Sequence, residues 1–139
     1  LKIDAIKRAG QRISADTERG EITMQMIRHI VLINWKPEAT RQQIDEWVQR
    51  VNRIPDECPQ VYNWYSSHAV AGPDPDMPPT HYFCITLDFR SQDEFTEYFH
   101  HSYPSTVKAE GLEIIDLERT ASTNMLVEAE PRRVKSRIL

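Results

Sequence analysis

Residues 26–35, Met-Ile-Arg-His-Ile-Val-Leu-Ile-Asn-Trp, constrain the fold more than any other stretch of the chain. The run predicts a strand. Strand side chains alternate between faces, which puts Ile27, His29, Val31 and Ile33 on one side and Ile30 and Leu32 on the other. Both faces are apolar, so this strand is expected at the centre of a sheet. His29 is the only residue on its face that titrates near neutrality, which makes it the first candidate for chemistry.

The elements that follow surround this strand. Thr40 and Gln43 fit a capping box, and Ile44, Trp47, Val48 and Val51 recur at helical spacing, with Pro55 expected to end the helix. Val61 to Val70 reads as a second strand with Tyr62, Trp64, Ser66 and His68 on one face. The proline-rich stretch from Ala71 to Pro79 is a loop. Thr80 to Arg90 predicts a third strand with His81, Phe83, Ile85, Leu87 and Phe89 on its core face. Ser91 and Glu94 form a second capping box, ahead of a helix with Phe95, Tyr98 and Phe99 along its apolar stripe. His101 lies on the flank of that stripe. Pro104 interrupts, a short helical piece runs from Ser105 to Glu110, and Leu112 to Thr120 is expected as the fourth strand.

The order strand, helix, strand, strand, helix, strand is the split βαβ arrangement of a ferredoxin-like α+β fold, with two helices on one face of a four-stranded antiparallel sheet. The other face would carry Ile30, Leu32, Tyr82, Cys84, Ile115 and Leu117. Burying such a patch gains roughly 25 cal/mol per Å², so a second sheet is expected to cover it in a homodimer. Residues 24–124 form this domain. Residues 1–23 contain a weak amphipathic helix around Ile3, Ile6 and Ile13 and read as a helical extension or an arm, and residues 125–139 read as a basic, solvated tail carrying Arg132, Arg133, Lys135 and Arg137.

Composition narrows the function. A chain of 139 residues with net charge −4 offers no global attraction for nucleic acid or an anionic membrane. No apolar run reaches membrane-spanning length and the start lacks a signal-peptide layout, so a cytoplasmic protein without membrane partners is expected. Cys58 and Cys84 lack metal-ligand or redox spacing, which argues against zinc and leaves a disulfide between them open. Four glycines, none in a phosphate-loop or dinucleotide pattern, point away from nucleotide chemistry. No metal and no cofactor are expected.

The segment from Met26 to Thr120 resembles the stress-responsive A/B barrel (Dabb) family, a dimeric α+β barrel. The resemblance rests on the opening Met-Ile-Arg-His-Ile-Val-Leu-Ile-Asn-Trp-Lys-Pro with its His29, on Ile54-Pro55, on His81, and on the helix carrying Tyr98-Phe99-His100-His101. The family includes polyketide cyclases whose acid/base pair is a Tyr and a His on the second helix. The resemblance places that Tyr at Tyr98, while Pro104 stands at the position of the His. It also implies substrate contacts at Ile44 and Trp47 on the first helix, and at His29, Val31, Ile33, His81 and Phe83 on the strands.

The residue types suit proton abstraction next to a carbonyl. An imidazole with pKa near 6.5 acts as base, and a neutral phenol donates to the developing enolate. The expected catalytic set is Tyr98, His29 and His81, with His101 as a replacement for the missing His. Trp47, Phe83 and Phe95 would form apolar walls around an aromatic or polyketide-like ligand. The chain is thus expected to be a small cofactor-independent cyclase, isomerase or lyase. The alternatives are a non-catalytic dimeric stress-response or ligand-binding module, and a cofactor-free monooxygenase on the same dimeric barrel.

Overall fold

The computed structural model describes residues 13–16 and 21–134. Its elements are β1 (Ile13–Asp16), β2 (Glu21–Ile33), α1 (Arg41–Val51), α2 (Ile54–Glu57), β3 (Tyr62–His68), β4 (Phe83–Phe89), α3 (Gln92–His100), α4 (Ser102–Gly111), a 3-10 turn at Leu117–Arg119, and β5 (Ala121–Ala129). The fold is ferredoxin-like α+β. β2 pairs antiparallel with β4 along one edge and with β5 along the other, and β3 lies outside β4. The short β1 pairs with Glu21 to Met24 ahead of the β4 contact.

The expected faces of β2 and β4 hold. Ile27, Val31 and Ile33 stand opposite Phe89, Ile85 and Phe83, and against them pack Trp47, Val51, Phe95 and Val107 from the helices. Both helix starts are fixed locally. The Thr40 hydroxyl accepts from the Gln43 N–H at 3.1 Å while the Gln43 side chain accepts from the Thr40 N–H at 2.9 Å, which satisfies two donors that a helix N-terminus otherwise leaves free. Ser91 caps α3 through the Glu94 N–H at 3.2 Å, but the Glu94 carboxylate turns to Arg90 at 2.7 Å instead of closing the box.

The fourth sheet strand is not Leu112 to Thr120. That segment meets the residues just after β2, through the Trp35–Ile115 bridge, the Lys36 and Asp116 N–H groups, and the Asn34 side chain, which donates to the Arg119 carbonyl at 2.8 Å. Ile114 and Ile115 turn inward and plug the helix-side core, and Leu117 lies exposed on the 3-10 turn. The edge of β2 is filled instead by β5, in register from Met24 through Leu32. Residues 125–129 thus belong to the sheet, and the tail begins later than its charge pattern indicated.

The first part of that tail is docked. The Arg133 guanidinium lies 4.1 Å above the Tyr62 ring, donates to the Tyr62 hydroxyl at 3.0 Å, and reaches the Pro59 carbonyl. Arg132 and Asn63 exchange hydrogen bonds at 2.8 and 2.9 Å. Asn63 has φ 53° and marks a bulge between Tyr62 and Tyr65. The extra residue turns Tyr62 away from Trp64 and onto the opposite face, where it packs with Met24 and Met26. Sequence alternation alone put Tyr62 and Trp64 together. On the same outer face Asp88, fully buried, accepts from Arg28 at 2.8 and 2.9 Å and from Asn63 at 2.7 Å.

Other expectations also shift. Pro55 does not end α1, which stops at Val51; it opens the single turn of α2, where its missing N–H costs nothing. Ile13, expected at the end of the N-terminal helix, opens the strand Ile13–Asp16. The rest of that helix and the basic residues Lys135 and Arg137 lie outside the described residues. Cys58 and Cys84 are both free, the first in the helix-side core and the second half-buried on the opposite face, so no disulfide joins them. Among the described residues no helix is long and apolar enough to cross a membrane. The outer face leaves Tyr65, Tyr82 and Met125 more than half exposed beside half-buried Ile30, Leu32 and Cys84.

Candidate active site

A cavity of about 570 Å³ lies between the helix side of the sheet and helices α1, α3 and α4, with the segment from Leu112 to Ser122 along its edge. It falls in the size range of small-molecule sites, about 300–1,000 Å³. Val31, Ile33, Ile85 and Leu87 of the sheet and Trp47, Trp64 and Val107 give it an apolar interior. His29 and Tyr98 both line it.

Strand pairing positions the histidine. His29 on β2 stands opposite Asn124 on β5, and its Nδ1 lies 2.7 Å from the Asn124 Oδ1. An amide oxygen only accepts, so Nδ1 carries the proton and Nε2 keeps the lone pair. Phe95 and Phe99 pack on the ring with centroids 5.2 and 6.2 Å away. Burial lowers the imidazole pKa from its usual 6.5, and the Asn124 bond only partly opposes this. The ring is neutral at pH 7, with a basic nitrogen in an apolar pocket.

Tyr98 comes from the buried stripe of α3, against Phe89 at 5.1 Å and Phe99 at 6.1 Å. Burial, helped by the neighbouring Cys58 thiol, holds its pKa well above the usual value. It therefore stays a phenol, able to donate. Among the described residues its hydroxyl has no hydrogen-bond partner. The Cys58 thiol is itself pushed up to about 11, chiefly by burial, so it is no nucleophile at neutral pH.

Of the remaining expected site residues, Val31, Ile33 and Trp47 line the cavity and the others do not. His81 sits before β4 begins, beside the Thr80 hydroxyl at 3.0 Å. His29 pairs with Leu87, so His81 lies about 20 Å farther along the strand at 3.3 Å per residue. His101, expected to stand in for the missing histidine, is not among the residues that line the cavity. Its Nδ1 accepts from the Tyr103 N–H at 3.1 Å and caps α4. Pro104, three residues on, is what lines the cavity there. Phe83 is enclosed by Trp35, Trp47 and His68, Phe95 stacks on Phe89 at 4.6 Å behind His29, and Ile44 packs against the core from α1.

Sequence reasoning missed Asn124, Trp64 and the rim residues Lys108, Leu112, Leu117 and Ser122. Asn124 carries no local signal, and only a correct placement of β5 would have revealed it. Among the described residues no group of three or more His, Cys, Asp or Glu side chains is placed to hold a metal.

Known proteins share this fold. A dimeric ferredoxin-like protein of unknown function from Thermobifida fusca superposes with TM-score 0.62 at 19% identity, over 74% of this chain and 92% of that one. The hydroxynitrile lyase from Passiflora edulis gives 0.62 at 19%, over 73% and 93%. A Dabb family protein with a ferredoxin-like fold from Mesorhizobium loti gives 0.57 at 16%, over 73% and 96%. No curated protein sequence matches the chain. The sequence model of the stress-responsive A/B barrel domain matches residues 27–124, from the start of the His29 face to Asn124, and the chain belongs to that family.

Proposed function

We propose that the protein is a cofactor-independent lyase, cyclase or isomerase acting on an apolar, aromatic or polyketide-type carbonyl compound. The observation that carries this reading is the His29–Asn124 bond, which leaves Nε2 unprotonated on a ring that lines the same cavity as Tyr98. In the reaction envisaged, Nε2 takes a proton from the carbon next to the carbonyl, and the Tyr98 hydroxyl donates to the oxygen as negative charge develops on it. The imidazolium then returns the proton to a second carbon in an isomerisation or to a leaving group in an elimination; in a cyclisation the enolate carbon attacks a second carbonyl and the imidazolium protonates the alkoxide oxygen that forms. An apolar wall strengthens both interactions, because few waters compete for them. The likeness to the Passiflora hydroxynitrile lyase is compatible with the lyase version, although at 19% identity it speaks for fold alone.

The exposed apolar outer face and the dimeric Thermobifida relative support a homodimer joined through this face. A second reading is a ligand-binding module, favoured by Pro104 at the position where the cyclases carry their histidine.

Turnover assays on a panel of β-ketoesters, hydroxynitriles and aryl ketones separate the two. For an accepted substrate, His29→Gln is expected to lower kcat about 10²- to 10⁴-fold and Tyr98→Phe about 10²-fold, with circular dichroism unchanged. Wild-type rates in both folded variants would sink the catalytic reading, and binding without turnover of any substrate would favour the module.

A further inference from the structure

The cavity has two chemically different ends. Its floor, formed by Trp47, Trp64, Val51 and Leu87, is buried. Its rim is exposed yet still apolar, with Phe99 at 53%, Leu112 at 42% and Leu117 at 58% exposure. Apolar side chains that continue a buried wall out into water suit a ligand whose apolar body extends from floor to rim.

One charge interrupts that rim. Lys108 lies on the cavity-facing stripe of α4, since Pro104, Ser105 and Leu112, three or four residues away, also line the cavity. Among the described residues it is the only charged side chain that lines the cavity, and none of the lining residues is a carboxylate. The acid nearest it in sequence, Glu110, is engaged with Arg50 at 2.8 Å. Among the described residues no ion pair holds the Lys108 ammonium. The rim thus offers a single uncompensated positive charge at the end of an apolar slot.

Building on the proposal that the cavity is a small-molecule site, we infer that its ligand is an anionic amphiphile, an aryl or alkyl carboxylate. Its apolar body fills the slot above Trp47 and Trp64, and its carboxylate is held at the rim by Lys108. A single cation matches a monoanion. A bidentate phosphate clamp would call for a guanidinium, and among the described residues no arginine lines the cavity.

Calorimetric titration of the full chain at pH 7 and low salt with 4-phenylbutanoate and with 4-phenylbutanamide, which differ in charge but hardly in shape, tests the assignment. The acid should bind about threefold to fivefold more tightly than the amide, as expected for a solvent-exposed charge pair. Lys108→Gln should abolish the difference while leaving amide binding within about twofold, and Lys108→Glu should invert it. The preference should shrink as salt is raised to 0.5 M. Equal affinities in the wild type, a preference that survives Lys108→Gln, or no binding of either compound overturns the inference. Because the readout is binding, its failure is distinct from that of the catalytic reading. A preference without turnover keeps Lys108 and removes the catalyst, and turnover without a preference does the reverse.

Discussion

His29 sits between two opposing influences. Burial under Phe95 and Phe99 drives its pKa down, the hydrogen bond from Nδ1–H to Asn124 drives it up, and burial wins. With the folded pKa below that of a free imidazole, the unfolded chain binds a proton first as pH falls, so folding loses free energy in that window. The His29 contribution is whole above pH of about 6.5 and drains away between there and the folded pKa. Urea denaturation at pH 7.5 and 5.5 should accordingly show a smaller acid loss for His29→Gln than for the wild type, and NMR should place the His29 midpoint below 6.5. Equal acid losses in the two proteins would contradict the burial of this ring. At this scale the sequence was partly legible. His29 and Tyr98 stand out because an ionisable group on an apolar stripe is conspicuous in any alternating pattern. Asn124 does not, because its role arises from a partner 95 residues away that it meets only through strand register.

Elements with local causes were the readable ones. α1 and α3 begin where a capping side chain and a periodic stripe coincide, both within a few residues of sequence. β5 was misplaced by about nine residues, because Ile114, Ile115 and Leu117 look more strand-like than Ala-Ser-Thr-Asn-Met-Leu-Val-Glu-Ala does. An edge strand with six consecutive exposed residues carries little hydrophobic signal, and what fixes it is the open edge of β2. The junction that releases the chain from α4 toward that edge is tight. At Gly111 a Cβ would come within 2.8 Å of Ile115 Cδ1 and of Trp47 Nε1, and that indole N–H donates to the Val107 carbonyl at 2.8 Å. Gly111→Ala should therefore shift Trp47 or Ile115 and cost about 1–3 kcal/mol by overpacking. Chemical denaturation measures it, and a shift in the tryptophan emission maximum should accompany it. An unchanged midpoint would mean that the α1–α4 contact yields easily.

For the whole molecule, the outer face is the surface that the proposed homodimer would bury. Ile30, Leu32 and Cys84 are half-buried in the single chain, and Tyr65, Tyr82 and Met125 lie open around them. If a second sheet covers this face, Leu32→Arg places a charge at an apolar contact, and sedimentation at micromolar concentration should show a monomer while the wild type sediments as a dimer. A dimer that persists in the variant would move the interface elsewhere. The fold class was legible from element order alone, because few topologies accept that order. The course of the tail was not, since a run of arginines looks the same whether it is solvated or stacked on a tyrosine.

The bulge at Asn63 sets how much change in chain length this protein tolerates. One residue with φ 53° makes Tyr62 and Trp64 serve opposite faces. Deleting it would bring Tyr62 round to the helices, strip Arg133 of its stacking partner, and leave Asp88 with one fewer donor. The proline-rich loop before β4 is exposed throughout residues 70–80 and can gain or lose residues without disturbing either face. Two segments less than ten residues apart thus obey opposite rules: variation in length is free in the loop and forbidden at the bulge.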